Sequence, residues 1–470
     1  MRRQYLGKNH LHWCDRCHVP VLGKKCACGA SAREVSITPP GDARPAFSAD
    51  IDHINRIYVD YFGAPLIPEG HLAVLNKVPD KDRMEEIVMG GTVVGAIRYL
   101  PEEKKWEPLP RPAAALYLNP EKKVVVVDDG AIPSIREKSA SVLAPGLVAI
   151  EDSVREGDEV FIVDRDGTCI AVGRAKTDAG TARTLDRGAI VRTRKVREAT
   201  CIPGPATWDD AVSANATILA RVEEEAVTFI RKVMDEHPIQ ANVSYSGGKD
   251  SLATLLVTLR AAGPLPLLFA DTGLEFEETY ANVNDVATHY GLEVIRTDTA
   301  EEFWTTMDRE GPPAVDARWC CKVCKLLPIK RLIETEWGEC LSFIGQRKYE
   351  SFKRMKSPRV WRNGYVGCQV SAAPIQHWTA MHVWLYIFRE QAPFNILYSR
   401  RIDRIGCYMC PSSDWATFEY IMEEYPDLWR TWDDALNGYK EKHGLPDIWV
   451  EQALWRKRGD TDEDDAGSYT

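Results

Sequence analysis

The stretch "SYSGGKDSLATLL" at residues 244–256 decides how this chain is read. It follows the strand-like "QANV" and opens a helical pattern through two glycines, a lysine and an aspartate. A loop of this kind holds an anion for simple reasons. Gly247 and Gly248 permit close backbone approach, and the helix after them presents free N–H groups. Lys249 adds charge, and Ser246 and Ser251 carry hydroxyl donors. Asp250 is expected either to fix the loop or to meet a Mg²⁺ ion. The spacing differs from G-x-x-x-x-G-K-[ST], so the loop is not of the Walker type.

Outward from this loop, strand and helix patterns alternate from about 205 to 425. "AVSANATILARVEEEAVTFIRKVMDEH" precedes it with helical spacing, and "LPLLFADTG" follows as a buried strand. That alternation predicts a parallel α/β domain. At 470 residues there is room for further domains. Residues 1–45 carry four cysteines and little hydrophobic periodicity. Residues 46–120 mix an amphipathic stretch, "DHINRIYVDYF", with the strand-like "GGTVVGAIRYL". Residues 121–200 alternate short apolar runs with Gly/Asp turns, as a small β-rich barrel does. Residues 426–470 read as a terminal helix and an acidic, disordered tail. The fold class expected is multidomain α/β.

The net charge of −10 argues against a general nucleic-acid binder but leaves room for local basic faces. No apolar run reaches membrane-span length and the N-terminus has no signal-peptide core, so a cytoplasmic location is expected. In that compartment the 13 cysteines read as metal ligands or reactive thiols rather than a disulfide framework. Cys14-x2-Cys17 and Cys26-x-Cys28 suit a tetrahedral zinc site that staples a short segment. His12 or His18 is an alternative ligand if the tight second pair is strained. In the middle segment, "RTLDRGAIVRTRKVRE" gathers Arg183, Arg187, Arg192, Arg194, Lys195 and Arg197. Clustered cations of this kind track phosphates or simply guard an edge strand.

Beyond the loop, "FADTGLEFEET" carries Asp271, Thr272, Gly273, Phe276, Glu278 and Thr279. "IGQRKYESFKR" carries Gly345, Arg347, Ser351 and Arg354, and "APIQHWTAMHVWLYI" follows. These ordered motifs resemble the phosphoadenosine phosphosulfate (PAPS) reductase-like branch of the PP-loop superfamily. "VLAPGLV", "REGDEVFIVD" and "IAVGRA" resemble a PUA domain, an RNA-binding barrel whose members usually bear a glycine where this chain has Ser139 or Ala140. The whole resembles an archaeal group that joins a zinc ribbon, a PUA domain and a PAPS reductase-like domain. The resemblance implies an adenine-nucleotide site, for ATP or a sulfonucleotide (APS or PAPS), on residues 246–251, Asp271, Thr272, Gly273, Arg347 and Arg354.

"RWCCKVCKLLPIKR" and "RIGCYMCPSSDW" add five cysteines. An adjacent pair with a distant C-x-x-C resembles the 4Fe-4S ligation of adenylyl-sulfate reductases, which implies Cys320, Cys321, Cys407 and Cys410 as ligands. Cys324 stands where those enzymes have arginine. It either replaces one of the adjacent pair or is a free thiol near the cluster. Cys169, Cys201, Cys340 and Cys368 read as core or loop thiols.

Two chemistries follow. Sulfonucleotide reductases attack with a cysteine in a C-terminal E-C-G-x-H motif, but this chain reads "YKEKHGLPDIW" there, and no cysteine follows Cys410. ATP-dependent RNA modification, most plausibly thiolation of tRNA, accounts for the intact loop and the PUA-like barrel. Lys249, Asp250 and Cys324 are its candidate catalytic residues. An RNA-binding protein with a regulatory cluster is a third reading. The sulfur or electron donor is left open, and a homodimer is possible.

Overall fold

A computed structural model describes residues 11–196 and 200–458. Arg197 and the acidic tail from residue 459 lie outside the described residues. The chain forms two compact units: residues 1–218 with 379–388, and residues 219–378 with 389–470. By contacts the stretch 379–388 groups with the first unit, where the Phe47 and Trp384 rings meet edge-on at 4.9 Å.

In the first unit, His12–Cys14 is the centre of a small sheet between Val19–Val21 and Arg33–Glu34. A five-stranded antiparallel sheet follows, running from Arg44–Pro45 through Val74–Lys77, Met84–Met89 and Thr92–Leu100 to Lys105–Pro110. The expected amphipathic stretch is the helix Ser48–Phe62. It buries Ile54, Tyr58 and Phe62, which at four-residue spacing share one face. A six-stranded sheet, where the PUA-like barrel is expected, places Val142–Leu143, Ala189–Val196, Cys169–Ala175, Glu159–Val163, Val124–Val127 and Leu147–Ile150 side by side.

Glu159–Val163 is buried at every residue because it serves two cores. Val160 and Ile162 enter the core inside this six-stranded sheet, while Phe161 and Val163 enter the one shared with Tyr58 and Phe62. This is the two-residue period of a strand covered on both faces. Ser139 ends the helix Ile132–Lys138 with φ 51°, the left-handed conformation that favours glycine. A serine thus occupies a turn that ordinarily favours glycine.

The second unit is built on a sheet ordered Val294–Asp298, Leu267–Asp271, Gln240–Ser244, Cys340–Ile344, Val366–Ala372 and Val360–Asn363. All neighbours are parallel except the last pair. The chain runs outward from Gln240–Ser244 on one side and returns to Cys340–Ile344 on the other. The point where strand order reverses opens a crevice at the carboxyl ends of these two strands, which is where open α/β sheets bind ligands. The helix Lys249–Ala262 buries every residue from 251 to 258, which accounts for its nearly continuous apolar run. The helices Trp415–Glu424 and Pro426–His443 join a core that holds Phe276, Phe303, Trp432 and Trp455. Among the described residues, no helix is long and apolar enough to cross a membrane.

Candidate functional site

The phosphate loop sits at that reversal point. Gly247 has φ +71°, and a Cβ there would lie 2.9 Å from Thr279 Cγ2. The loop is tied from within. Ser251 Oγ donates to the Gly248 carbonyl at 2.8 Å and accepts from Ser246 N–H at 3.2 Å. Across the crevice, Gly345 follows the strand Cys340–Ile344. A Cβ on it would meet the Asp250 carbonyl carbon at 2.5 Å and Ser251 N at 2.6 Å. Both contacts are backbone, so neither can yield without moving the helix start. Gly345→Ala is expected to destabilise the second unit by about 1–3 kcal/mol. Nucleotide affinity should fall with it, as measured by urea unfolding and by titration with ATP.

Asp250 is clasped on both sides. Arg347 Nε donates to Oδ1 at 2.5 Å and Lys249 Nζ to Oδ2 at 2.7 Å. Burial alone would raise this carboxyl's pKa, but Arg347 and Lys249 outweigh it and hold it below the usual range. Of the two expected roles, fixing the loop matches this geometry. Arg347 is only 2% exposed, and its Nη1 also donates to the Trp378 carbonyl at 3.4 Å. Arg354 stands on the short helix Phe352–Lys356 and is engaged by Glu350 at 2.5 Å.

The Asp271–Gly273 turn leaves the same sheet edge one strand away. Asp271 Oδ1 accepts from Gly273 N–H at 3.0 Å and from the Tyr280 hydroxyl at 2.8 Å. Glu275 is buried and accepts from Thr272 N–H at 3.1 Å and from the Thr272 hydroxyl at 2.8 Å. Thr272 Oγ1 lies 3.7 Å from Cys407 Sγ, and Tyr408 N–H donates to the Leu274 carbonyl at 3.0 Å. This brings the C-x-x-C segment against the turn. Thr299 Oγ1 lies 3.1 Å from both the Asp271 and the Cys324 carbonyl oxygens, linking the turn to the other cysteine segment.

Three residues here escape sequence reasoning. Glu275 and Thr299 have no distinctive spacing. Tyr398, whose hydroxyl accepts from Lys249 N–H at 2.9 Å, comes from 149 residues downstream.

The two cysteine sets differ in geometry. Cys14, Cys17, Cys26 and Cys28 place all four sulfurs within 4.8 Å of one another. Cys14 and Cys28 are 3.7 Å apart, and Cys17 and Cys26 are 3.9 Å apart. Thiolates about 2.3 Å from a tetrahedral zinc lie about 3.8 Å from each other, so the set can bind a metal ion and fits zinc without strain. Neither histidine is needed: His12 and His18 stand outside the converging group. Four thiolates leave no open coordination position, as in a structural site.

Cys320, Cys321, Cys407 and Cys410 are neighbours, but among the described residues no three of them converge as the first set does. A single ion would need that convergence. Their ionisation is linked. Cys320 is raised by its hydrogen bond with Cys321, by burial, and by Cys407 and Cys410. Cys321 is held down at about 5 by Cys320, against the pull of burial, with help from Arg318 and Lys325. Cys324 is buried among Leu274, Phe303 and Leu436, and burial foremost pushes its thiol up to about 12. The free-thiol alternative thus places Cys324 in a core, where a reactive thiolate is disfavoured.

Comparison with known proteins agrees with this architecture. The family model described as phosphoadenosine phosphosulfate reductase domain matches residues 240–413, and the PUA domain model matches residues 123–197. A Methanocaldococcus jannaschii protein, named as the uncharacterized protein MJ0066, is 40% identical over 97% of each chain. The chain belongs to the PAPS reductase-like family that carries a PUA domain. An adenosine 5'-phosphosulfate reductase of Geobacillus thermodenitrificans is 28% identical over 31% of this chain and 61% of the reductase. A phosphoadenylyl-sulfate reductase structure from Candida auris covers 40% of this chain and 94% of that one, at 20% identity and a TM-score of 0.31.

Proposed function

We propose that this chain is a PP-loop enzyme of sulfur chemistry that uses an adenine nucleotide to modify RNA, most specifically by thiolating tRNA. The observation that carries the reading is an intact phosphate loop on a chain whose reductase-like nucleophile position is occupied otherwise. The corresponding segment ends the helix Pro426–His443 with His443 and Gly444, and no cysteine lies there.

In this reading the loop backbone binds the ATP phosphates. Asp250, clasped by Lys249 and Arg347, keeps the loop open at the right width. A nucleobase carbonyl oxygen attacks the α-phosphorus, forming the O–P bond as the bond to pyrophosphate breaks. Sulfide then adds at the carbonyl carbon, and the C–O bond breaks to release AMP. No electrons are exchanged in either step. A 4Fe-4S cluster held by Cys320, Cys321, Cys407 and Cys410 would supply the metal centre, and only with one coordination position spare would it take up the incoming sulfide. Cys324, buried as it is, serves packing in this scheme. The PUA domain and its cations Arg187, Arg192 and Lys195, all exposed, support RNA as the substrate class. Arg183 and Arg194 are already engaged by Asp152 and Glu159.

A second reading is reduction of a sulfonucleotide, favoured by the local similarity to adenosine 5'-phosphosulfate reductases. One experiment separates the two. Anaerobically purified, cluster-loaded protein is given ATP, Mg²⁺, sulfide and bulk tRNA, or APS or PAPS with a dithiol. The expected result is tRNA-dependent pyrophosphate release with a new thionucleoside by mass spectrometry. Sulfite from the sulfonucleotide, without tRNA-dependent pyrophosphate, would replace the first reading by the second.

A further inference from the structure

We infer that the segment 348–362 of the second unit is a single-stranded RNA contact surface, separate from the PUA domain. This rests on the proposal that the chain acts on RNA. The segment carries six cations against one carboxylate, Glu350, in a chain whose net charge is −10. Three of those cations are committed. Arg354 is paired with Glu350, and Arg362 with Glu339. Arg359 donates to the Ala373 and Pro374 carbonyls and lies 3.7 Å over the Phe229 ring. Among the described residues, Lys353 and Lys356 have no carboxylate partner, and both are exposed.

Beside these lysines Phe352 is 43% exposed, with Lys356 Nζ 4.2 Å from its ring centroid. An aromatic face in solvent flanked by unpaired lysines is the combination that stacks a base and tracks its backbone. The surface is also held in place. Ser351 Oγ accepts from Arg354 N–H at 3.2 Å, Lys348 N–H donates to the Gln376 carbonyl at 2.9 Å, and Gln376 Nε2 donates to the Ser357 carbonyl at 2.9 Å. A preformed surface binds without first ordering itself. It begins one residue after Arg347, whose guanidinium holds Asp250 of the phosphate loop. A protein or membrane partner would call for a wider apolar area. Here Val360 and Trp361 are already half-buried, and Phe352 alone is left out in solvent.

The test uses the full chain, with bulk tRNA and a fluorescent 12-nucleotide poly(U) strand as probes. Phe352→Ala is expected to weaken binding of both by roughly 5- to 100-fold, and Phe352→Trp to restore it. Lys353→Ala with Lys356→Ala should reduce the slope of log K against log salt by about 1.4, the value for two single-strand phosphate contacts. ATP affinity should stay unchanged in all three variants. Wild-type binding retained in Phe352→Ala and in the double lysine variant, with the salt slope intact, would overturn this surface while leaving RNA as the substrate class. Absence of RNA binding by the wild-type chain would overturn both.

Discussion

Cys14→Ser is expected to remove one bound metal ion per chain and to release the N-terminal sheet from the first unit. The four sulfurs already stand at the spacing of a tetrahedral thiolate site, and little else holds residues 11–35 in shape. The segment's own core is small, consisting chiefly of Trp13, Val19, Val21 and Val35. Directed bonds also tie it to the rest of the unit. Asn215 accepts from Leu22 N–H at 2.8 Å and donates to the Pro20 carbonyl at 2.9 Å, and Arg33 pairs with Asp15 and with the Gly90 and Gly91 carbonyls. Structural zinc in peptides of this size contributes about 10–16 kcal/mol of apparent binding energy, far above what such a segment gains by packing. Elemental analysis should therefore show zinc falling from one to near zero per chain while iron is unchanged. Proteolysis should cut within residues 11–35 first. Full zinc retention with an unaltered digestion pattern would mean the cysteines are not a metal site.

The contrast between the two cysteine sets shows what a sequence carries and what it withholds. Cys14 to Cys28 are close in the chain, so local turns bring them together and their spacing is informative. Cys320 and Cys407 meet only through tertiary structure, by way of the Thr272 turn and the Thr299 bridge, and local spacing says nothing of that. The phosphate loop was legible because its function needs consecutive backbone N–H groups. The five strands around 44–110 were mostly illegible, since only Thr92–Leu100 is long and apolar enough to stand out. The contacts of 379–388 with the first unit leave no signal for a related reason: an apolar helix buried nearly all round does not say which elements it packs against. Tyr398 was invisible because a tyrosine that caps one backbone N–H from a distant segment leaves no periodic signal. Cys324 draws attention as a departure from a motif, and its burial in the structure is not readable from that motif.

Arg347→Ala should be the most damaging single change in the second unit. The side chain is 2% exposed and its guanidinium holds a carboxylate that would otherwise lie buried against Lys249 alone. Removing one member of a buried ion pair costs about 3–5 kcal/mol, because the charge left behind has lost both its partner and its water. Nucleotide binding should be lost with it, since the loop's width is set by the Asp250 clasp. The pH dependence fixes the cause. Asp250 is depressed in the folded chain, so its contribution is present above the unfolded carboxyl pKa of about 3.9 and is lost as pH falls through the folded value. The stability gap between wild type and Arg347→Ala, read by urea unfolding, should accordingly be widest near neutrality and narrow as pH drops below about 4. A gap that stays constant with pH would point to lost packing around Arg347. In that case Arg347→Met, which keeps most of the volume and none of the charge, should restore stability while leaving nucleotide binding absent.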